Sequence, residues 1–173
     1  MLSEIFIKRK VNYLNISYPN HENLNQKLEY DIKSTGDITN RQTYAKAYMT
    51  DWMETRFKSF EILSQFVINS YNSYMAHDNV FYSTKDIRDM WGLVYNKGDY
   101  AEEHQHEIKN LYSFIYYVKS SKKSSPLIFT DGFPFHKKIQ PENGMLIIFP
   151  SYMKHKVPVQ KHNEERISVA GNF

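Results

Sequence analysis

Two histidines separated by a single residue, His104 and His106, are the part of the sequence best suited to metal chemistry. In an extended segment, side chains two residues apart project to the same side of the backbone. Neutral imidazole is a common ligand for iron, zinc and copper, so the pair predicts two ligands of one metal ion. A third ligand supplied by the fold would complete a facial site with open positions for a substrate.

The sequence has three further residues of matching chemistry near its carboxyl end: His155, Arg166 and Ser168. His155 follows an apolar run, residues 144–149, which predicts a buried strand ended by Pro150. Arg166 and Ser168 alternate on the next predicted strand and therefore face the same way. In a β-sandwich these residues would lie within reach of one cavity, where a guanidinium and a hydroxyl form a receptor for a carboxylate.

A plainer interpretation of the histidine pair is a solvated position on an edge strand. The chain has seven histidines, so one such pair arises readily by chance. Taken alone the pair favours this interpretation, and its combination with the downstream residues favours a site. The other four histidines are predicted to lie on the surface. They are His21, His77, His136 and His162.

These residues form part of a longer ordered set that resembles a known enzyme family. The set is similar to the iron(II)- and 2-oxoglutarate-dependent oxygenases and, more narrowly, to the small prolyl-4-hydroxylase-like group of bacteria and their phages. The resemblance extends over residues 86–173, about half of the chain, and its specificity lies in the order of the whole set. The members are Trp91, Tyr95, Asn96, Gly98, Asp99, His104, His106, Ser113, Tyr116, Tyr117, Pro141, Gly144, Phe149, Pro150, Ser151, His155, Val157, Arg166, Ser168 and Asn172.

The resemblance implies a specific reaction. In this superfamily three protein ligands hold iron(II), the cosubstrate 2-oxoglutarate chelates the metal, and dioxygen takes the last position. Oxidative decarboxylation of 2-oxoglutarate gives succinate and carbon dioxide, and a substrate C–H bond is hydroxylated. The substrate would be a peptide, an amino acid or another small molecule, and the sequence does not identify it.

Residue roles follow from the same resemblance. It implies that His104 is the first metal ligand, that His155 is the distal ligand, and that Arg166 with Ser168 holds the 5-carboxylate of 2-oxoglutarate. Three tyrosines are candidates for hydrogen bonds to this cosubstrate, although strand tyrosines in an aromatic-rich core more often serve packing. They are Tyr95, Tyr112 and Tyr116.

One position departs from the family pattern, which has Asp or Glu where this chain has His106. A site of three histidines is chemically sound, because neutral imidazoles bind iron(II), although losing the carboxylate raises the charge of the site. Alternatively, Glu102 or Glu107 supplies the ligand, and His106 contacts that ligand rather than the metal. In a third interpretation the oxygenase chemistry has been lost, and another metal or none is bound. The spacing of two favours the three-histidine site.

Two other classes of protein remain open from the sequence. A cupin-like metalloenzyme with three histidines would use the same ligands without 2-oxoglutarate and would give Arg166 a structural or substrate-binding role. A non-catalytic β-sandwich binding module would contain the histidines incidentally.

Length and composition are consistent with one domain spanning residues 1–173. At 173 residues the chain is short enough for a single core. Residues 1–85 are expected to supply amino-terminal strands and supporting helices, and residues 86–173 the jelly-roll core with the metal site. The absence of cysteine excludes disulfides, zinc–thiolate sites and iron–sulfur clusters, so a metal must use histidine and carboxylate.

The net charge and the hydropathy of the sequence bear on its binding partners and its cellular location. A formal net charge of +3 is too small to indicate a nucleic-acid partner. No apolar run approaches the roughly 20 residues of a membrane span, and the amino-terminal residues lack the order of a signal peptide, so the sequence predicts a cytoplasmic protein. An aromatic-rich surface helix is compatible with a homodimer.

Periodicity predicts helices followed by many short strands. Residues 21–32 and 52–75 have helical spacing, with Asp51 and Glu54 in an N-cap arrangement. Residues 39–50 are interpreted as a flexible flap, as part of a substrate cleft or as a plain surface loop, with residues 34–50 a candidate lid. Amino-terminal strands are predicted at residues 4–8 and 13–17, and later ones at 86–95, 100–107, 111–118, 127–130, 138–140, 144–149, 155–160 and 167–172. The pattern predicts a mainly β fold with supporting helices, a double-stranded β-helix or cupin-like jelly-roll.

Overall fold

A computed structural model describes residues 13–35, 43–52, 57–77, 84, 86–106, 110–131 and 136–173. The predicted strand at residues 4–8 lies outside these ranges. Within them the helices are α1 (His21–Ser34) and α2 (Lys58–His77). The strands are β1 (Leu14–Ser17), β2 (Ala45–Lys46), β3 (Tyr48–Met49), β4 (Asp89–Tyr95), β5 (Tyr100–His104), β6 (Tyr112–Lys119), β7 (Leu127–Phe129), β8 (Lys137–Ile139), β9 (Met145–Pro150), β10 (His155–Val157) and β11 (Arg166–Asn172).

The strands form two antiparallel sheets. The larger sheet has the order β1-β9-β6-β11-β4-β3, and the smaller sheet has the order β2-β5-β10-β7-β8. Successive strands repeatedly change sheet, as in a jelly-roll, so residues distant in sequence become neighbours. Each of the eight strands predicted after residue 86 overlaps an observed strand.

Strand alternation gives the larger sheet two different faces. On β11, Ile167 and Val169 face helices α1 and α2 and are fully buried in one core. The alternate residues Arg166 and Ser168 face the smaller sheet and are also fully buried. A second core, including Tyr117 and Phe129, fills the space between the sheets. The space that contains the predicted site is thus formed by one face of each sheet.

Helix α1 carries the apolar stripe that its spacing predicted. Leu24, Leu28 and Ile32 are all buried against the larger sheet. Ser59 on α2 donates a hydrogen bond to the Asp31 carboxylate on α1, and this bond links the two helices. The paired helices therefore cover the outer face of the sheet and leave its inner face to the site.

Helix α2 begins later than predicted. It starts at Lys58, where the Phe57 carbonyl accepts the first backbone hydrogen bonds. The Asp51 carboxylate instead accepts a hydrogen bond from the Trp52 backbone N–H at 2.7 Å, so Asp51 does not cap α2. Glu54 lies outside the described residues.

The interpretation of residues 39–50 as a flap or a plain loop requires correction for its second half. β2 pairs with β5 in the smaller sheet, and β3 pairs with β4 in the larger sheet. These two short strands therefore form a strap that passes from one sheet to the other. Residues 36–42 lie outside the described ranges. None of the helices in those ranges combines the length and apolar character needed to cross a membrane.

Candidate metal centre

The smaller sheet brings His104 and His155 together. His104 ends β5, His155 begins β10, and the two residues are register partners in the antiparallel pair. His106 lies two residues beyond the end of β5, where its backbone N–H donates to the Ser151 carbonyl at 2.9 Å. This bond fixes the extended segment after the strand, so the spacing of two continues to place both rings on one side.

The three imidazoles converge on one point. Their candidate ligand atoms all lie within 4.8 Å of one another, and in the described ranges no other such group of histidine, aspartate and glutamate occurs. The ring centroid of His104 lies 4.3 Å from that of His155 and 5.3 Å from that of His106. The geometry is that of three ligands on one face of a metal ion.

Backbone carbonyls orient two of the rings. His104 Nδ1 lies 2.8 Å from the Glu102 carbonyl oxygen, and His155 Nδ1 lies 2.8 Å from that of Met153. A carbonyl only accepts hydrogen bonds, so each Nδ1 carries the proton and each Nε2 keeps a free lone pair for a metal. This second layer of contacts is typical of histidines that bind metals.

Burial keeps the three imidazoles neutral. Desolvation lowers the pKa of His106 to about 4, with a further contribution from His104. Desolvation also lowers the pKa of His104, and it lowers that of His155 well below the usual range. Neutral imidazoles are the form that binds metal, so the site is prepared to receive an ion at neutral pH.

The carboxylates proposed as alternative ligands differ in their position. Glu102 is exposed and is not part of the histidine cluster, although its backbone carbonyl orients His104. Glu107 lies outside the described residues. Of the described residues, the three histidines are therefore the group best placed to hold a metal.

The strap adds a residue that the sequence did not single out. The Tyr44 ring stacks on His104 with a centroid distance of 5.0 Å and an interplanar angle of 7°. The Glu102 backbone N–H donates to the Tyr44 carbonyl at 3.0 Å, which anchors the strap beside the site. Tyr44 thus covers one face of a candidate ligand.

Arg166 and Ser168 lie together on the inner face of the larger sheet. Arg166 is fully buried, and its Nη1 donates to Ser168 Oγ at 3.5 Å. The Nε and Nη2 groups have no hydrogen-bond partner among the described residues. The guanidinium lies over the rings of Tyr95, at 4.7 Å, and Tyr117, at 5.1 Å. A buried cation with unused donors fits a carboxylate ligand, because leaving such donors unpaired is costly.

The three predicted tyrosines do not share one location. Tyr95 contacts Arg166, and its hydrogen bond to a cosubstrate stays a prediction. Tyr112 instead packs at a tilt against the Tyr71 ring of α2, and Tyr116 Oη donates to Asn25 of α1 at 2.7 Å. These two residues face the helices, which corrects their predicted contact with a cosubstrate. Tyr117 faces the inner space, and its Oη has no partner among the described residues. Tyr117 is the register partner of Ser168, a pairing that no local pattern in the sequence indicates.

A cavity of about 430 Å³ lies beside the histidines, a size suited to small ligands, and Tyr95 lies between it and Arg166, which is not among the lining residues. The three histidines line it, together with Tyr95 and the buried Phe149. On its exposed side the lining is formed by aromatic and polar residues. They are Tyr44, Trp52, Arg88, Asp89, Trp91 and Asn110.

Comparison with known families gives a match over the carboxy-terminal segment. Residues 131–172 match a family described as "Putative 2OG-Fe(II) oxygenase". This segment contains β9 to β11 and hence His155, Arg166 and Ser168. A comparison with curated proteins gives no match.

Solved structures share the fold at low sequence identity. A Pseudomonas putida prolyl-4-hydroxylase has a TM-score of 0.71 and 15% identity, over 93% of this chain and 91% of that one. The viral collagen prolyl hydroxylase of Paramecium bursaria Chlorella virus-1, solved with 2-oxoglutarate, has a TM-score of 0.69 and 15% identity, over 95% and 96%. HygX from Streptomyces hygroscopicus, solved with nickel and 2-oxoglutarate, has a TM-score of 0.70 and 9% identity, over 99% and 86%.

These comparisons agree with two predictions made from the sequence. The family match over residues 131–172 confirms the resemblance found in the sequence for that segment. The solved structures confirm the double-stranded β-helix fold with supporting helices.

Proposed function

We propose that this chain is an iron(II)- and 2-oxoglutarate-dependent dioxygenase that hydroxylates a C–H bond of a peptide, an amino acid or a small molecule. One observation carries the proposal: three converging neutral imidazoles line a cavity, and a buried guanidinium with unused donors contacts Tyr95, which lines the same cavity. The first group suits a divalent metal and the second a carboxylate, which are the two parts of a chelated oxo-acid complex.

The reaction balances as substrate, 2-oxoglutarate and dioxygen giving hydroxylated substrate, succinate and carbon dioxide. The bound metal and its oxo-acid would supply the activation of dioxygen. Two electrons come from decarboxylation of the oxo-acid and two from the substrate C–H bond. One oxygen atom enters the new hydroxyl, and the other enters the new carboxylate of succinate.

The metal would be held by His104, His106 and His155. The carbonyls of Glu102 and Met153 keep two of these rings in the tautomer with a free Nε2. No anionic ligand is present in this set, so the metal keeps its full charge until the oxo-acid binds. We expect the site to depend on 2-oxoglutarate for charge compensation more strongly than a site with a carboxylate ligand.

The cosubstrate would be held at its distal carboxylate by Arg166. Nε and Nη2 of Arg166 are available for a bidentate contact, and Ser168 Oγ and Tyr117 Oη supply further donors. The rings of Tyr95 and Tyr117 enclose the guanidinium and exclude water from it. In that dry environment the charge-assisted contacts are strong, which orients the other end of the cosubstrate toward the metal.

An anaerobic titration tests both halves of this proposal. Metal-free protein receives iron(II) and then 2-oxoglutarate, and the visible charge-transfer band of the chelated oxo-acid is followed. The band is expected only with both additions and is expected to disappear in His155→Ala. Arg166→Ala should keep iron binding and weaken 2-oxoglutarate binding at least about 100-fold, because a buried charge pair is lost.

The remaining interpretations make different predictions in the same experiment. Iron binding without the band, in wild type and Arg166→Ala alike, would identify the cupin-like enzyme that uses no oxo-acid. Absence of metal binding would identify the non-catalytic binding module. Normal 2-oxoglutarate binding by Arg166→Ala would show that the carboxylate is held elsewhere.

The cytoplasmic location, the single-domain organisation and the homodimer stay predictions. The pairing of β1 with β9 and the contact of α1 with β6 support one domain, because they join the amino-terminal segment to the jelly-roll. Sedimentation of the purified protein tests the homodimer directly.

A further inference from the structure

A second guanidinium lies on the exposed side of the cavity, separate from Arg166. Arg88 immediately precedes β4, and its backbone N–H donates to the Asn172 carbonyl at 2.8 Å. Its side chain is exposed, lines the cavity and donates to Asn110 Oδ1 at 3.2 Å. The amide oxygen is neutral, so this hydrogen bond positions the guanidinium without neutralising its charge.

Two tryptophans connect this cation to the metal ligands. Trp52 and Trp91 stack with a centroid distance of 5.7 Å, and the Trp91 ring lies 6.4 Å from that of His106. The Met90 backbone N–H donates to the Trp52 carbonyl at 3.0 Å, which places Trp52 beside the start of β4. The cavity wall from His106 to Arg88 therefore contains two stacked tryptophans and a positive charge.

We propose that this wall binds the primary substrate, and that Arg88 binds a carboxylate of that substrate. The inference rests on the proposed function and adds the substrate class: a carboxylate-bearing molecule with an apolar part that packs on Trp91 and Trp52. Free or N-acylated amino acids and the carboxyl end or acidic side chain of a peptide share this chemistry. A planar guanidinium matches such a carboxylate bidentately, and an aromatic wall adds apolar contact without a strict shape requirement.

The two guanidinium groups differ in solvent exposure, which suits them to different ligands. Arg166 is fully buried between Tyr95 and Tyr117, where a small dicarboxylate can be enclosed. Arg88 is exposed, so a larger molecule can reach it from solvent while its remaining part lies along the tryptophans. The protein can thus hold a cosubstrate at the buried Arg166 and an anionic substrate at the exposed Arg88.

Asp89 follows Arg88 in the chain and also lines the cavity. Its carboxylate accepts a hydrogen bond from Asn172 Nδ2, and Asn172 Oδ1 accepts one from Ser113 Oγ. This network fixes the side chain of Asp89 at the start of β4.

Fluorescence of the two tryptophans provides a direct test, because the chain contains no others. The protein is loaded with nickel(II) in place of iron(II) and with saturating 2-oxoglutarate. It is then titrated with a panel of N-acetyl amino acids and their matched carboxamides. We expect at least one acid to bind about tenfold or more tightly than its amide, the usual worth of a charge-assisted contact.

Two substitutions assign that preference to the side chain. Arg88→Gln should remove the difference in affinity between acid and amide. Arg88→Lys should keep part of that difference, because Lys retains the positive charge but lacks the paired donors of a guanidinium. The inference would be overturned if no acid bound more tightly than its carboxamide, or if such a preference persisted in Arg88→Gln.

The charge-transfer titration separates this inference from the proposed function. Arg88→Gln should give the same band as wild type, since Arg88 contacts neither metal nor cosubstrate in the proposal. A band without any acid preference would reject the substrate class alone. An Arg88-dependent preference without a band would reject the oxygenase and leave a carboxylate-binding cavity.

Succinate release distinguishes the sources of the carboxylate. The iron-loaded enzyme is supplied with free amino acids, with N-acetyl amino acids, and with peptides that end in a carboxylate or an amide. Stimulation by the free-acid members in wild type and its loss in Arg88→Gln would support the inference. Equal stimulation by the amides would overturn it.

Discussion

Tyr116 and Tyr117 are adjacent in sequence but belong to different environments. Tyr116 donates to Asn25 on the helix side, whereas Tyr117 Oη faces Arg166 and has no partner among the described residues. Burial raises the pKa of both phenols, so both remain protonated donors at neutral pH. A buried donor without a partner destabilises the folded protein, and a ligand that accepts a hydrogen bond from it removes this destabilisation.

Phenylalanine substitutions at the two positions should have opposite effects. Tyr117→Phe is expected to weaken 2-oxoglutarate binding about tenfold while leaving the unfolding free energy unchanged or up to about 1 kcal/mol higher. Tyr116→Phe should lower that free energy by about 1–3 kcal/mol, because Asn25 loses a buried partner, and should leave 2-oxoglutarate binding unchanged. Urea unfolding and the anaerobic titration measure both quantities. The opposite assignment of the two effects would refute the description of the two faces.

The second metal ligand can be identified by comparing His106 with Glu102. His106→Ala is expected to weaken iron(II) binding at least about 100-fold, more than the effect of losing an outer contact. Glu102→Ala should change it less than about twofold, because only the backbone carbonyl of Glu102 contacts His104. Competition with a metal chelator gives both affinities. A large loss in Glu102→Ala would show instead that a carboxylate completes the site.

The strap formed by β2 and β3 is the element that joins the two sheets beside the metal site. Its residues pair with β5 on one side and β4 on the other, and Tyr44 extends it over His104. Because the Tyr44 ring lies almost parallel to the imidazole, it limits rotation of that ring. The strap thereby links the position of a candidate ligand to the register of both sheets.

Removing the ring of Tyr44 should loosen the site without unfolding it. Tyr44→Ala is expected to weaken iron(II) binding about tenfold, the effect typical of losing an outer contact to a metal ligand. Tyr44→Phe should behave like wild type, because stacking does not require the hydroxyl. Tyr30→Ala, at an exposed position on α1, serves as the control. An unchanged affinity in Tyr44→Ala would show that the stacking has no positioning role.

At the scale of the whole molecule, ion pairs join the helical layer to the larger sheet. Lys33 on α1 lies 2.7 Å from the Glu165 carboxylate next to β11, and Lys119 on β6 contacts both Glu165, at 3.3 Å, and Glu29, at 2.8 Å. The hydrogen bond from Lys33, opposed by desolvation, lowers the pKa of Glu165 below its ordinary value of 4.5. The folded protein therefore holds this carboxylate ionised more strongly than the unfolded chain does.

This lowered pKa predicts a pH-dependent contribution to stability. The stabilisation is complete above pH 4.5, the ordinary value, and is lost as the pH falls through the lower folded value. Glu165→Gln should therefore reduce the unfolding free energy by about 0.5 kcal/mol at neutral pH, a small effect because the ion pair is partly exposed. In strong acid the substitution should leave the unfolding free energy unchanged. Glu142→Gln, at an exposed position before β9, serves as the control. Urea unfolding across the pH range measures the difference, and a gap that persists in acid would contradict the linkage.

Local periodicity by itself determined much of the candidate site and the fold. The spacing of two brought His104 and His106 to one side, and the same alternation placed Arg166 beside Ser168. The strands after residue 86 and the buried stripe of α1 followed from apolar spacing, because alternation and helical period are properties of neighbouring residues. The resemblance to an oxygenase family rested on the same ordered residues, and the match of residues 131–172 agrees with it.

Only the tertiary structure decided which face of a strand each tyrosine occupies, and how distant strands meet. Tyr112 and Tyr116 fit a cosubstrate contact in the sequence, but the pairing of Tyr117 with Ser168 turns them toward the helices. The strap, with Tyr44 on His104, depends on two-residue strands too short to show a period. The pairing of His104 with His155 spans 50 intervening residues. Register is set by contacts between strands far apart in the chain, and no local pattern encodes it.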